Sequence, residues 1–178
     1  GLGNQEVTSD SLGPQVLNHL RITRHLDLEG EGQKVQISGI VPGVMAQTGM
    51  ETADILRGIV AETKPDALLV IDALAGRSVS RLGTTIQLSN TGISPGSGVG
   101  NHRHSLTRES LGVPVIAVGV PTVVAAAAIV YDTVDALAEL LEAAGSGNAA
   151  EAVDGMSLSE RYRMVRELIE PRLGPMYV

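Results

Sequence analysis

The sequence predicts an α/β fold, a three-layer α/β/α sandwich around a mainly parallel, mixed sheet. The runs "ALLVI" (67–71) and "VPVIAVGVP" (113–121) are apolar without alternation, which is typical of strands covered on both faces. Segments with helical periodicity stand between and after these runs, so strands and helices alternate along the chain. Such alternation favours parallel strands joined by helical crossovers.

The helices are predicted from apolar residues at spacings of three and four positions. They are expected at about 13–24, 50–62, 122–145 and 157–170. Thr48 is expected to cap the second helix and Ser157 or Ser159 the last, because a hydroxyl can accept the free N–H groups of a first turn. The third helix is expected to break near Asp132.

The strands are predicted from apolar and β-branched runs bounded by Gly or Pro, at 35–41, 67–72, 84–88 and 113–121. Residues 90–104 form a long glycine-rich loop, which we expect to be mobile and to border a cleft beside Asp72. A chain of 178 residues suits a single domain, 1–178. Its opening, "GLGNQEVTSDSLGP", has the form of a turn after a strand, so a first strand is expected upstream of Gly1.

Composition restricts the function classes. With three Tyr and no Phe or Trp, the sequence argues against nucleic-acid binding by base stacking, and a net charge of −7 argues against a phosphate backbone as partner. The absence of Cys excludes thiolate nucleophiles and Cys-ligated zinc, and it suits an intracellular compartment. No apolar run approaches the ~20 residues that span a bilayer, so no membrane partner is expected.

The glycine and histidine motifs are weak signals for a cofactor or a metal. Gly1 and Gly3 match the start of a dinucleotide fingerprint, but its third glycine is replaced by Glu6. The loop "SPGSGVGN" (94–101) lacks the Lys-Ser/Thr pair of a P-loop. His102 and His104 could ligate a metal with a carboxylate, yet no metal-binding spacing supports them and solvated loop residues are the preferred interpretation. No cofactor and no metal are expected.

Two aspartates stand out by position. Asp72 follows the strand 67–71 directly, at the edge where open α/β sheets bind ligands, and Asp10 lies between the implied first strand and the first helix. Parallel strands bring their carboxyl ends to one edge, so the two acids could face one cleft. The residues alone also allow an N-cap role for Asp10 and a cap or turn role for Asp72.

Five blocks resemble the spore germination protease family of endospore-forming bacteria, in order over nearly the whole chain. They are "GLGNQEVTSDSLGPQV", "PGVMAQTGMETADI", "IDALAGRS", "IQLSNTGISPGSGVGN" and "GVPVIAVGVPTVV". The resemblance implies an atypical aspartic endopeptidase that degrades small acid-soluble spore proteins during germination, in the cytoplasm of the forespore and the spore core. It also implies a phosphorylase/hydrolase-like fold similar to hydrogenase maturation endopeptidases, a zymogen with an upstream prosegment, autoprocessing and a homotetramer. The chain would then be a single protease core domain.

The resemblance also implies roles for individual residues. The family's two catalytic aspartates match Asp10 and Asp72. Cleavage next to a glutamate is implied, and since a guanidinium fork binds a carboxylate well, Arg77 and Arg81 are expected to bind substrate, with Arg103 third. Surface charges, or partners of Asp and Glu, are the alternative for these arginines.

Two departures from the family bear on other positions. Ala125 stands where the family often has an acid, and "NHRH" (101–104) stands where it is usually lysine-rich. The lysine-rich pattern of the family argues against His102 and His104 as a metal site of the family. Independently of these departures, two other functions stay open. One is a metallopeptidase that uses Asp10, Asp72 and a histidine from 102 or 104, and the other is a non-catalytic relative that only binds spore proteins.

Overall fold

A computed structural model describes residues 1–26, 35–100, 103–143 and 156–173. Within them the α-helices are α1 (Leu12–His19), α2 (Met45–Thr48), α3 (Thr52–Thr63), α4 (Arg108–Leu111), α5 (Ala126–Ala143) and α6 (Leu158–Leu173). The strands are β1 (Leu68–Gly76), β2 (Gln87–Ser89) and β3 (Val115–Val124). Short 3-10 turns span Thr8–Asp10, Val79–Arg81 and Ser97–Val99. None of the described helices is long and apolar enough to cross a membrane.

The three strands form one mixed sheet in the order β1-β3-β2. β2 runs antiparallel to β3, with Leu88 opposite Val118. The Leu68 N–H donates to the Pro114 carbonyl at 2.8 Å, which joins the beginnings of β1 and β3 as in a parallel pair. The sheet and its helices confirm the α/β class, while the three-layer arrangement stays a prediction.

The main hydrophobic core lies on one face of this sheet. Val70 of β1 and Val115 of β3 point into it, and they share one buried cluster with side chains from the N-terminal segment, α3, the loop before α4, and α4: Leu2, Ala53, Leu56, Leu106 and Leu111. Because side chains alternate along a strand, Leu69 and Ile116 point to the other face, where they are 57% and 45% exposed. One face of the sheet is therefore packed, and the other carries exposed apolar side chains.

Contacts between Cα atoms divide the chain into two compact units. The first consists of Gly1–Leu74 and Ile86–Val120, and the second of Ala75–Thr85 and Pro121–Val178. In the second unit α5 packs against α6 through a tilted pair of rings, Tyr131 and Tyr162, whose centroids are 6.0 Å apart. The single-domain organisation stays a prediction.

Two strand predictions are wrong. No strand forms over 35–41, because the backbone carbonyl of Ile37 accepts N–H bonds from Thr23 and Arg24, and its own N–H donates to the Thr23 hydroxyl. β1 does not end at Asp72 but continues to Gly76, because it lies beside β3 in the sheet and β3 extends to Val124. Asp72 is therefore the middle residue of its strand.

The helix predictions hold for the existence of each helix but not for every boundary or cap. α1 ends at His19, because Leu20 is already extended. Thr48 is the last residue of α2, and Glu51 is the N-cap position of α3. α5 passes through Asp132 without a break. The Ser157 cap is confirmed: its hydroxyl accepts the Glu160 N–H, and the Glu160 carboxylate accepts the Ser157 N–H, as in a capping box.

Candidate active site

Asp72 is a carboxyl group enclosed in the packed face of the sheet. Its side chain points to the same side of β1 as Val70 and is 5% exposed. Its Oδ1 atom accepts the N–H of Ala73 at 3.0 Å. Since an isolated carboxylate is costly to bury, this environment favours the protonated form.

The pKa of Asp72 follows from these surroundings. Burial, the larger cause, and the nearby negative charge of Asp10 together raise the pKa of Asp72 from 3.8 to about 7. The hydrogen bond from Ala73 acts in the opposite direction. Asp72 therefore changes its charge near neutral pH, where an ordinary aspartate is fully ionised.

Asp10 is the last residue of the 3-10 turn that leads into α1. Ser11, not Asp10, occupies the N-cap position of α1, and its hydroxyl donates to the Thr8 carbonyl. The Asp10 side chain instead turns back, and its Oδ2 atom accepts the Asn4 N–H at 2.8 Å. Burial raises the pKa of Asp10, while the Asn4 hydrogen bond opposes that rise. The structure thus does not support the N-cap role.

Close packing of glycines brings the two aspartates together. The Leu2 N–H donates to the Ile71 carbonyl, one residue before Asp72, at 2.8 Å. A Cβ atom at Gly13, three residues after Asp10, would overlap the backbone of Leu2 and lie 2.6 Å from the Ile71 carbonyl oxygen. Only glycine lets the first turn of α1 approach β1 this closely.

The same packing explains the opening glycines. Gly3 has a φ of +108°, and a Cβ atom there would overlap the Asp10 carbonyl oxygen. The N–H groups of Leu2 and Asn4 are already bonded to Ile71 and Asp10. A dinucleotide fingerprint needs such groups to be free for a pyrophosphate, so these glycines serve backbone packing at the site.

The pair can therefore hold one proton between two unlike positions. Among the described residues, no side-chain or backbone group hydrogen-bonds Asp72 Oδ2 or Asp10 Oδ1, so each carboxyl keeps an oxygen for a water or a substrate. Asp72 is buried and protonates readily, whereas Asp10 is more exposed and accepts a backbone N–H. One ionised and one protonated carboxyl are the groups that acid–base hydrolysis requires.

Comparison with known proteins identifies the family. A family model described as Germination protease matches residues 1–164. The chain belongs to the germination protease family. A germination protease of Caldanaerobacter subterraneus subsp. tengcongensis is 49% identical over 177 residues, which cover 96% of this chain and 55% of the relative. One of Clostridium acetobutylicum is 46% identical over 185 residues, covering all of this chain and 56% of the relative.

A shorter match is more similar still. A germination protease of Geobacillus sp. (strain WCH70) is 57% identical over 139 residues, which cover 76% of this chain and 37% of the relative. The chain thus spans about half the length of the curated germination proteases that match it over its whole extent.

The structure places the three predicted arginines in different units of the chain. Arg77 and Arg81 are exposed residues of the second unit, whereas Arg103 is half-buried in the first, with Asp10 and Asp72. Within the described ranges, none of the three forms an ion pair. The substrate-binding roles of all three stay predictions.

The histidines and the glycine-rich loop were the other candidates. His104 is exposed, and His102 lies outside the described residues. In the part of the chain that the structure describes, no three His, Asp or Glu side chains come together as a metal-binding group. The loop is closed at its base by an antiparallel bridge between Ile93 and Leu106, and Leu106 is fully buried. Its mobility and its place beside Asp72 stay predictions.

Sequence reasoning missed two residues that build the site. Asn4 donates its N–H to Asp10, and its side-chain Oδ1 accepts the Glu6 N–H at 3.0 Å, which holds the turn. Gly13 permits the contact between α1 and β1. A glycine placed just before Pro14, within the first turn of a helix, was the available signal, because glycine inside an element often marks a close backbone approach.

Proposed function

We propose that this chain is the catalytic part of an endopeptidase that degrades small acid-soluble spore proteins during germination, with Asp10 and Asp72 activating water. Family membership supports a peptidase. The observation that carries the mechanism is the pairing of a buried Asp72 with the charge of Asp10, at the two positions that match the family's aspartates.

The two carboxyl groups have different tasks in this mechanism. Asp10, whose ionised form is supported by the Asn4 N–H, takes a proton from water as the water oxygen attacks the peptide carbonyl carbon. Asp72, protonated up to about pH 7, donates its proton to the amine nitrogen as the C–N bond breaks. Because like charges held close resist joint ionisation, the proton then returns within the pair, and the apparent pKa values belong to both groups.

Substrate recognition is part of the same proposal. An acidic side chain of the spore protein binds the exposed guanidinium groups of Arg77 and Arg81, with Arg103 as a third candidate. The family resemblance further supports a zymogen that processes itself, a homotetramer, and a location in the cytoplasm of the forespore and the spore core.

The decisive experiment compares carboxylate variants on a purified small acid-soluble spore protein, with the products measured by mass spectrometry. Asp10→Asn and Asp72→Asn should each lower kcat by at least about 100-fold, the scale of general acid–base catalysis. Asp66→Asn, at an exposed aspartate before β1, is the matched control and should keep wild-type activity. Each change is nearly isosteric, so the fold should be retained.

Two results would contradict the proposal. Full activity of Asp72→Asn would remove the two-aspartate mechanism. Loss of activity with a chelator, restored by added divalent metal, would favour the metallopeptidase instead.

A further inference from the structure

Asp132, in the middle of α5, binds the segment that carries two of the candidate substrate-binding arginines. Its Oδ2 atom accepts two hydrogen bonds in the second unit, from the Ser78 hydroxyl at 2.9 Å and from the Val79 N–H at 3.0 Å. Ser78 and Val79 lie 54 and 53 residues before Asp132 in the sequence. The contact is therefore tertiary and ties this segment to a long helix.

The anchored residues lie between the two arginines. Arg77 directly precedes Ser78, and Arg81 ends the 3-10 turn that begins at Val79. The Arg81 N–H donates to the Ser78 carbonyl, so the anchor at Ser78 also sets the end of the turn. Both guanidinium groups are exposed, while the backbone between them is held.

A second contact closes the segment. The Gly83 N–H donates to the Pro121 carbonyl at 2.8 Å, and the Thr84 hydroxyl donates to the Ser80 carbonyl at 2.8 Å. The stretch from Ser78 to Gly83 is thus fixed at both ends. At the beginning of the segment, the Asp132 carboxylate accepts both hydrogen bonds. Hydrogen bonds to a charged acceptor are stronger than those between neutral groups.

We propose that Asp132 is a positioning residue for substrate recognition: it holds the Arg77–Arg81 segment so that both guanidinium groups are presented to an acidic side chain of the protein substrate. The inference rests on the proposed function, in which these arginines bind substrate. A guanidinium group can bind a carboxylate with two N–H groups at once. Binding is weaker if the backbone and side chain must first become ordered, so a backbone that is already fixed favours it.

The test measures kcat and KM for cleavage of a purified small acid-soluble spore protein. Asp132→Ala removes both bonds and should raise KM about tenfold with little change in kcat, since the Asp10–Asp72 pair is untouched. Asp132→Asn keeps an oxygen for the Val79 N–H and should restore KM to within about threefold of wild type. Arg77→Ala and Arg81→Ala should each raise KM in the same way.

Asp135→Ala is the matched control. Asp135 stands one turn further along α5 and pairs with Arg161 of α6 at 2.8 Å, so its loss weakens the helix packing without touching the arginine segment. KM should stay at the wild-type value. Hydrogen exchange gives an independent readout: the Val79 N–H should exchange faster in Asp132→Ala but not in Asp135→Ala, and the Gly83 N–H serves as the internal reference.

The outcomes separate the two proposals. Unchanged KM in both arginine variants overturns substrate binding by this segment, and the positioning role with it. A raised KM in the arginine variants with an unchanged KM in Asp132→Ala overturns the positioning role alone. Equal effects of Asp132→Ala and Asp135→Ala, or no rescue by Asp132→Asn, would make Asp132 a merely structural residue.

Discussion

Asp10 and Asp72 carry the same carboxyl group, but the backbone around each one makes its protonation different. Asp72 lies within a strand and loses nearly all contact with water, so burial dominates its pKa. Asp10 ends a turn and accepts a backbone N–H, which stabilises its ionised form. A pair with unlike environments can supply an acid and a base at one pH.

The effect of Asp10 on Asp72 can be measured directly. In the wild-type protein the Asp72 carboxyl should titrate at about pH 7, and Asp10→Asn should lower that pKa because a nearby negative charge is lost. The pKa should still stay above 3.8, since burial is the larger cause. Carboxyl ¹³C NMR would measure both values, with Asp66→Asn as control. An Asp72 pKa near 4 in the wild type would contradict the geometry.

At the scale of elements, the site depends on how closely α1 approaches β1. Gly13 lies in the first turn of α1 against the carbonyl oxygen of Ile71, where a side chain has no room. Gly58 lies in α3, a helix of the same unit, and a Cβ atom there would meet nothing within 4 Å. The two glycines occur in similar elements but do different things: one permits a contact, and the other only weakens a helix.

Alanine at these two positions should therefore act in opposite directions. Gly13→Ala should destabilise the protein by roughly 1–3 kcal/mol through overpacking, and it should lower kcat because Asp10 moves away from Asp72. Gly58→Ala should stabilise it by about 0.5–1 kcal/mol, since alanine is the better helix residue. Urea unfolding and substrate cleavage measure the two effects. A neutral Gly13→Ala would show that α1 can shift without cost.

For the whole molecule, the buried aspartate connects stability to pH. The folded state binds a proton at Asp72 up to about pH 7, whereas the unfolded chain releases it near pH 4. Between these values the folded state holds more protons than the unfolded state, so the free energy of unfolding falls as pH rises. Asp10, whose pKa is also raised, contributes in the same direction.

The protein should consequently be more stable at pH 5 than at pH 8. Of the rise in the pKa of Asp72 from 3.8 to about 7, the part above pH 5 corresponds to on the order of 3 kcal/mol of stability lost between pH 5 and pH 8. Asp72→Asn should remove most of this pH dependence of the free energy of unfolding. At pH 8 the variant should be more stable than the wild type. Urea midpoints at the two pH values would test it. If the free energy of unfolding depends on pH equally in wild type and Asp72→Asn, Asp72 is ionised at both pH 5 and pH 8, and the prediction is wrong.

Much of the local structure was determined by the sequence itself. The continuous apolar runs predicted β1 and β3, and the helical spacing predicted α3, α5 and α6, because burial of an apolar stripe or strand leaves a periodic pattern. Five sequence blocks, in order over nearly the whole chain, together predicted the family. These features depend on residues close together in the chain, where spacing alone carries the signal.

Contacts between distant segments were decided only by the tertiary structure. Residues 35–41 have the composition of a strand. However, the Ile37 N–H donates to the Thr23 hydroxyl and the Ile37 carbonyl accepts the Thr23 N–H, so no strand pairing forms there. Asp72 was expected at the end of a strand. Instead β1 continues to Gly76, because the neighbouring strand β3 extends to Val124. The bonds from Ser78 and Val79 to Asp132 likewise join groups whose separation in sequence carries no periodic signal. The backbone hydrogen bonds and close approaches that create them exist only once the chain is packed.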